Sequence, residues 1–210
     1  MLIALGLVLL AYLLGSVSGS LLLGKLRGVD IRTIGSGNAG GSNALRTQGL
    51  VFGLGTIFVD VGKGALAAWL AWRFLPAGQS PAWPYACVLA AVTGHVWPIF
   101  HGFRGGKGAA TVVGGLAVMW PIALLPLIAV WLLSLAWGGY VGLSTILAGI
   151  SLPLFAFIQG EGVIRLVFSL VIAAFLVFTH RSNIARLRAG TESRFERARV
   201  LGRWLSRKDA

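Results

Sequence analysis

Three polar segments carry most of the residues able to do chemistry in an otherwise apolar chain. The first is Gly35-Ser36-Gly37-Asn38-Ala39-Gly40-Gly41-Ser42-Asn43-Ala44-Leu45-Arg46, the second runs from Gly94-His95 through Phe103-Arg104-Gly105-Gly106-Lys107-Gly108, and the third is Thr179-His180-Arg181-Ser182-Asn183. Each combines fixed cations with polar side chains or with backbone N–H groups that glycine leaves accessible. That is the chemistry needed to hold phosphate oxygens. Recurrence at three separate segments argues against chance polar linkers.

The same residues exclude several other sites. Gly35, Gly37 and Gly40 satisfy G-x-G-x-x-G, but that pattern marks a dinucleotide site only after a strand and within a βαβ unit, and this context is missing. The second segment fails the Walker pattern, because His101 stands where its first Gly belongs and Gly108 follows Lys107 in place of Ser or Thr. His95 and His101 lie six residues apart with no carboxylate nearby, which does not suit zinc. The acids before residue 181 are Asp30, Asp60 and Glu161, too scattered for an obvious magnesium site. Neither metal nor cofactor is expected, and the single cysteine, Cys87, can form no internal disulfide.

The elements that position these segments are membrane helices. A 210-residue chain that is 57% hydrophobic and 11% charged cannot present a soluble surface. Leu2 to Leu23 holds no charge and is long enough to cross. Lys25 and Arg27 follow it, which places the N-terminus outside and argues against a cleaved signal peptide. The polar loop Gly24–Gly49 is then cytoplasmic, a second span covers Leu50–Phe74, Leu75–Ala82 is external, and a third span covers Trp83–Phe100. Read as one span, Gly108–Trp137 would put the basic tail outside, so Pro121 and Pro126 predict two half-length helices, Ala109–Trp120 and Leu127–Trp137, that enter from the cytoplasm and return to it. Spans at Tyr140–Ile158 and Val163–Thr179, joined by an external turn over Gln159–Gly162, complete the pattern. The expected fold is therefore an all-α integral membrane protein with five full transmembrane helices and a broken hairpin, seven helices in all. The C-terminus is cytoplasmic and the three polar segments meet on the cytoplasmic side.

Within the spans, Gly15 with Gly19 and Ser16 with Ser20 predict close helix packing. Asp60 and Lys63, one turn apart, must face the bundle interior and find partners. Residues 1–183 form the expected transmembrane domain and 184–210 a basic cytoplasmic tail. Beyond His180 lie nine of the 18 basic residues against Glu192, Glu196 and Asp209, with Ile184, Leu187, Phe195, Leu201 and Trp204 giving a partial apolar face. This pattern reads as an interfacial helix on anionic lipid, not as a nucleic-acid contact.

Four features, in order and at similar spacing, resemble the bacterial acyl-phosphate-dependent glycerol-3-phosphate acyltransferase family. They are Gly-Ser-Gly-Asn-Ala-Gly-Gly-Ser-Asn from Gly35; Asp60 with Lys63-Gly64; Gly94-His95-Val96-Trp97-Pro98 leading to Phe103-Arg104-Gly105-Gly106-Lys107-Gly108; and His180-Arg181-Ser182-Asn183-Ile184. The departures are Ala39, where proline is common, and Gly142, where serine is usual. The H-x-x-x-x-D pattern of the large soluble-substrate glycerolipid acyltransferase family is missing, since Phe100, Gly106 and Ala185 follow the three histidines at that distance. The resemblance implies a metal-free and coenzyme-free enzyme of the bacterial cytoplasmic membrane that makes lysophosphatidic acid for phospholipid synthesis, supplied by an acyl-phosphate-producing enzyme. It implies Ser36, Arg46, Lys107, His180 and Asn183 as the catalytic set. Gly37, Asn38, Asn43, Arg104, Gly105, Gly106, Gly108 and Thr145 join as substrate-binding residues, and Glu192 is more structural than catalytic.

The physical reading of a basic pocket agrees. Acyl phosphate is a mixed anhydride whose phosphate leaves readily, so the protein has to bring two anions together and screen charge on the carbonyl oxygen. The expected reaction is direct attack by the glycerol hydroxyl. Arg46 and Lys107 neutralise phosphates, Ser36 and Asn183 orient the acceptor, and loop amides or Lys107 hold the oxyanion. Either His180 or the departing phosphate takes the proton. An acyl-enzyme on Ser36, an organic-phosphate transporter and a lipid phosphotransferase remain as alternatives.

Overall fold

The structure, a computed structural model, describes residues 1–206; the side chains of Arg203, Leu205 and Ser206 and all of residues 207–210 lie outside the described residues. The helices are α1 (Leu2–Gly15), α2 (Gly19–Arg27), α3 (Gly41–Gln48), α4 (Leu50–Phe74), α5 (Trp83–Val96), α6 (Ala109–Met119), α7 (Leu124–Gly138), α8 (Val141–Ile158), α9 (Val163–Thr179), α10 (Arg181–Arg188) and α11 (Val200–Ser206). No strand occurs among the described residues. Two compact units result, the first over Met1–Pro121 and the second from Ile122 onward.

In the first unit α4 is the hub, packed against α6, α3, α5, α1 and α2, while α1 also pairs with α5. Small residues set these crossings. A Cβ at Gly64 would fall on the Thr111 carbonyl and one at Gly114 on the Val61 carbonyl, so α4 and α6 touch backbone to backbone. Gly15 meets Ala91 of α5 in the same way, and a Cβ at Gly19 would lie 2.7 Å from the Thr56 carbonyl of α4. Gly15 and Gly19 of the first span are thus packing positions, as their spacing predicts. Ala11, Ala67, Ala71, Cys87 and Ala91 fill one part of this core, with Cys87 buried and free.

The first span is not one straight helix. α1 and α2 meet at a 41° bend over residues 16–18. Broken backbone at membrane depth requires partners for its freed groups, and the second span supplies them: Lys63 Nζ donates to the Val17 carbonyl at 2.8 Å, and the Gly19 N–H donates to Asp60 Oδ1 at 3.2 Å. Lys63 and Asp60 pair with each other at 3.0 Å, both buried. The polar loop expected over Gly24–Gly49 also holds more order than its composition suggests. α3 lies within it, pressed on α4 where a Cβ at Gly53 would sit 2.7 Å from Leu45 Cα.

The expected break after α6 falls at Trp120, with a 3₁₀ turn over Pro121–Ala123 leading into α7. The second piece is longer than expected, because Pro126 lies in the first turn of α7, where its missing N–H breaks no helical bond. Pro121–Gly138 is therefore an 18-residue segment, apolar and long enough to cross a membrane, and not the half-length helix expected over Leu127–Trp137. α6, at 11 residues, is the short partner. Leu50–Phe74 and Val141–Ile158 also pass the length test, and five spans result if each bent pair, α1 with α2 and α9 with α10, counts once.

In the second unit α8 packs between α7 and α9, and α10 turns off α9 at 54° to rest on both α8 and α9. The tail does not form one continuous helix. A 3₁₀ turn at Glu196–Ala198 separates α10 from the seven-residue α11, which packs on α7 and leaves Val200, Leu201 and Trp204 exposed. Arg207, Lys208 and Asp209 of the expected interfacial segment lie outside the described residues.

Candidate active site

In the first unit, the Gly35–Arg46 segment is folded around one side chain. Asn43, 1% exposed, donates from Nδ2 to the carbonyls of Ile31, Ile34 and Asn38 at 3.0–3.1 Å, and its Oδ1 accepts the Ser36 N–H at 2.9 Å. A buried amide so fully engaged shapes the loop, whereas the sequence suggested that it binds substrate. Ser36 stands exposed between Gly35 and Gly37, whose φ of 60° and 70° need glycine. Arg46, one turn beyond Asn43 on α3, is exposed and makes no hydrogen bond or ion pair among the described residues.

Arg32 ties this segment to the second one. Its Nη1 donates to the His101 carbonyl at 2.8 Å while its other nitrogens clasp Asp30 at 2.7–3.2 Å. Those hydrogen bonds hold the Asp30 carboxyl down at about 2. Burial, reinforced by Lys25 and Arg32, lowers the His101 imidazole below its ordinary value. The glycine-rich turn then runs through Arg104, exposed, and Lys107, half-buried, to Gly108, whose φ of 91° caps α6. The N–H groups of Gly105 and Gly106 bond the carbonyls of Val96 and His95, each at 3.1 Å. These two amides, expected to face a phosphate, are spent on the end of α5. The donors that helix geometry leaves over are those of Gly108 and the first turn of α6.

In the second unit, His180 sits at the α9–α10 bend with Nδ1 2.8 Å from the Leu176 carbonyl. A carbonyl only accepts, so Nδ1 carries the proton and Nε2 is the basic nitrogen of the neutral ring. Asn183 donates from Nδ2 to Glu192 at 2.6 Å, and Arg186 holds the other oxygen of Glu192 at 2.6 Å. Gly142 allows Asn183 its place, since a Cβ there would lie 2.5 Å from Asn183 Nδ2. Thr145 and Ser144 are buried, with hydroxyls bonded to the Val141 and Tyr140 carbonyls. Thr145 also accepts from Trp131 Nε1 at 3.2 Å. Among the described residues no cluster of three His, Cys, Asp or Glu could hold a metal ion.

The family model described as glycerol-3-phosphate acyltransferase matches residues 5–190. The chain belongs to that family. Among its similar members are the glycerol-3-phosphate acyltransferases of Trichlorobacter lovleyi, 44% identical over 89% of this chain and 94% of the relative, and of Aquifex aeolicus, 42% identical over 91% and 99%. The fold matches the crystal structure of PlsY (YgiH), an integral membrane glycerol 3-phosphate acyltransferase in its glycerol 3-phosphate form. The TM-score is 0.86 at 42% identity, covering 91% of this chain and 95% of that one. The lysophosphatidic acid form of that protein matches with a TM-score of 0.83. This acyltransferase-family chain is accordingly a multi-pass integral membrane protein.

Two features of the site escaped the sequence analysis. Arg32, clasped by Asp30, reaches the second polar segment through the His101 carbonyl, whereas Asp30 read there only as an acid too isolated to hold magnesium. His95 was read as part of the second polar segment and as a poor metal ligand, with no link to Asp60, yet its Nδ1 lies 3.5 Å from that carboxylate. An ionisable residue inside an apolar span was the available signal for it.

Proposed function

We propose that the protein transfers a fatty acyl group from acyl phosphate to glycerol 3-phosphate, giving lysophosphatidic acid and phosphate at the cytoplasmic face of a bacterial inner membrane. The observation that carries this reading is the family match over residues 5–190, which takes in all three polar segments. The chemistry on each segment supports it. Arg46 and Lys107 screen the two phosphates, Ser36 and Asn183 orient the acceptor hydroxyl, and the first-turn amides of α6 or Lys107 hold the oxyanion. His180, with Nδ1 committed to Leu176, offers Nε2 to take the hydroxyl proton. The carbonyl carbon of the mixed anhydride gains the glycerol oxygen as phosphate departs, and no metal is needed to activate either partner. Gly37, Asn38, Arg104, Gly105, Gly106, Gly108 and Thr145 border or shape these contacts, and Asn43 acts by holding the Ser36 loop.

The topology that serves this reaction has the N-terminus outside and the tail inside. Acyl phosphate is expected to come from a separate acyl-activating reaction. The test is purified protein with acyl phosphate and glycerol 3-phosphate in the presence of a chelator, scored for lysophosphatidic acid. Acyl-coenzyme A and acyl carrier protein run as alternative donors, and proteoliposome uptake of glycerol 3-phosphate runs in parallel. Product with acyl phosphate alone is expected. Product only from a thioester donor overturns the donor assignment, and uptake without product makes the protein a transporter.

A further inference from the structure

We propose that Asp60 and His95 are positioning residues for acyl transfer: the buried carboxylate orients the imidazole, and the imidazole sets the course of the glycine-rich loop that carries Lys107. This inference rests on the functional reading above. Asp60 on α4 and His95 on α5 are 1% and 2% exposed. Asp60 Oδ1 takes the Gly19 N–H at 3.2 Å and Lys63 Nζ at 3.0 Å, and His95 Nδ1, buried and without a hydrogen-bond partner, faces it at 3.5 Å. Lys63 already supplies the cation that the carboxylate needs, so charge balance alone does not require a histidine. What His95 adds is reach toward the loop.

The opposite edge of the ring lies where a side chain at position 106 would be. A Cβ on Gly106 would overlap Nε2 and lie 2.8 Å from Cε1 and 3.1 Å from Cδ2. The Gly106 N–H also bonds the His95 carbonyl at 3.1 Å, so residue 106 is held by His95 through both backbone and ring. Lys107 is the next residue, and Gly108 caps α6 immediately after it. A change in ring tilt therefore moves the peptide preceding Lys107. On its other side the network reaches the α1–α2 bend through Gly19 and, by way of Lys63, through the Val17 carbonyl.

The rival explanation is a buried polar cluster that only fixes helix rotation, and His95→Asn separates the two. The asparagine amide takes the place of Nδ1 and keeps a donor facing Asp60, while the ring atoms lining Gly106 are removed. A cluster needed only for satisfied polar groups tolerates this change. A positioning role predicts a rise in KM for glycerol 3-phosphate of about tenfold to a hundredfold with kcat within about threefold. The melting temperature in detergent stays within about 3 °C of the parent. KM within about twofold of the parent overturns the inference.

If His95→Asn does not fold, Gly106→Ala supplies the test, because its methyl group must displace the ring. KM should rise in the same way, and the His95→Ala background should reduce that rise, a non-additivity expected only of groups in contact. An unchanged KM in Gly106→Ala, or additive effects, overturns the inference. An unsubstituted protein that makes no lysophosphatidic acid removes the functional reading and this inference together. An active one with a silent His95→Asn removes this inference alone.

Discussion

Replacing Lys63 with Met tests whether the second span needs its buried pair. Lys63 and Asp60 are 5% and 1% exposed, 3.0 Å apart, and Lys63 also donates to the Val17 carbonyl at 2.8 Å. Lys63→Met leaves Asp60 with the Gly19 N–H and His95 but no fixed cation, and it takes away the donor to Val17. Removing one member of a buried pair costs about 3–5 kcal/mol. A loss near 4 kcal/mol corresponds to roughly 8–16 °C in melting temperature for a chain of this size. Asp60→Asn/Lys63→Met removes both charges and keeps an oxygen for the Gly19 N–H, so the double variant should lose only about 1–2 kcal/mol. Thermal unfolding in detergent, followed by tryptophan fluorescence with size-exclusion monodispersity as a control, measures all of this. A single variant within about 1 kcal/mol of the parent, or a double variant as damaged as the single one, would refute the reasoning.

Three further outcomes follow from the geometry. His180→Gln should lower kcat by about a hundredfold or more with little change in KM, as loss of a general base does, and near-normal turnover would give the proton to the departing phosphate instead. Gly114→Leu should cost about 3 kcal/mol or prevent folding, because its side chain has to enter where α6 meets the Val61 carbonyl, whereas Gly6→Ala, with open space around it, should be silent within about 0.5 kcal/mol in the same melts. The Asp30–Arg32 clasp contributes stability above the ordinary carboxyl value of 3.8 and loses it as the pH falls toward 2; with Asp30 41% exposed the contribution is under about 1 kcal/mol, and Asp30→Asn should abolish that part of the acid dependence in a pH series of melts.

The two spans read most accurately from sequence are those whose ends are marked locally. α4 begins after Gly49, at φ 86°, and ends just before Leu75-Pro76, while α9 begins after Gly162. The features that sequence did not reveal depend on partners far along the chain. The bend over residues 16–18 sits in a run with no charge and no proline, and the groups it frees are taken by Asp60 and Lys63, 41 and 46 residues away. α3 is mostly polar and begins with a glycine, and it packs on α4. Pro126 was expected in the break before a helix starting at Leu127 because sequence does not say which turn a proline will occupy, and in a first turn it does no harm. The site followed the same division. The residue types announced phosphate chemistry, but the amides of Gly105 and Gly106 are committed to Val96 and His95, which only the folded turn reveals.

These long-range partners form one construction. A straight first span would leave the buried Lys63–Asp60 pair without the extra hydrogen bonds that offset its desolvation. The bend at residues 16–18 gives them a carbonyl and an N–H to satisfy, and it starts α2 two residues later in a new direction. Ser20, in the first turn of α2, then donates to the Ala39 carbonyl at 2.8 Å, while Leu21 of the same helix packs with Ile31, Ala39, Ala44 and Phe52. The Ser36 loop is therefore anchored on the helix that the bend redirects, and the Lys107 loop rests on the histidine that faces the same carboxylate. Asp60 thus stands between two of the three polar segments without belonging to either, so substitutions there should disturb both loops while touching no substrate.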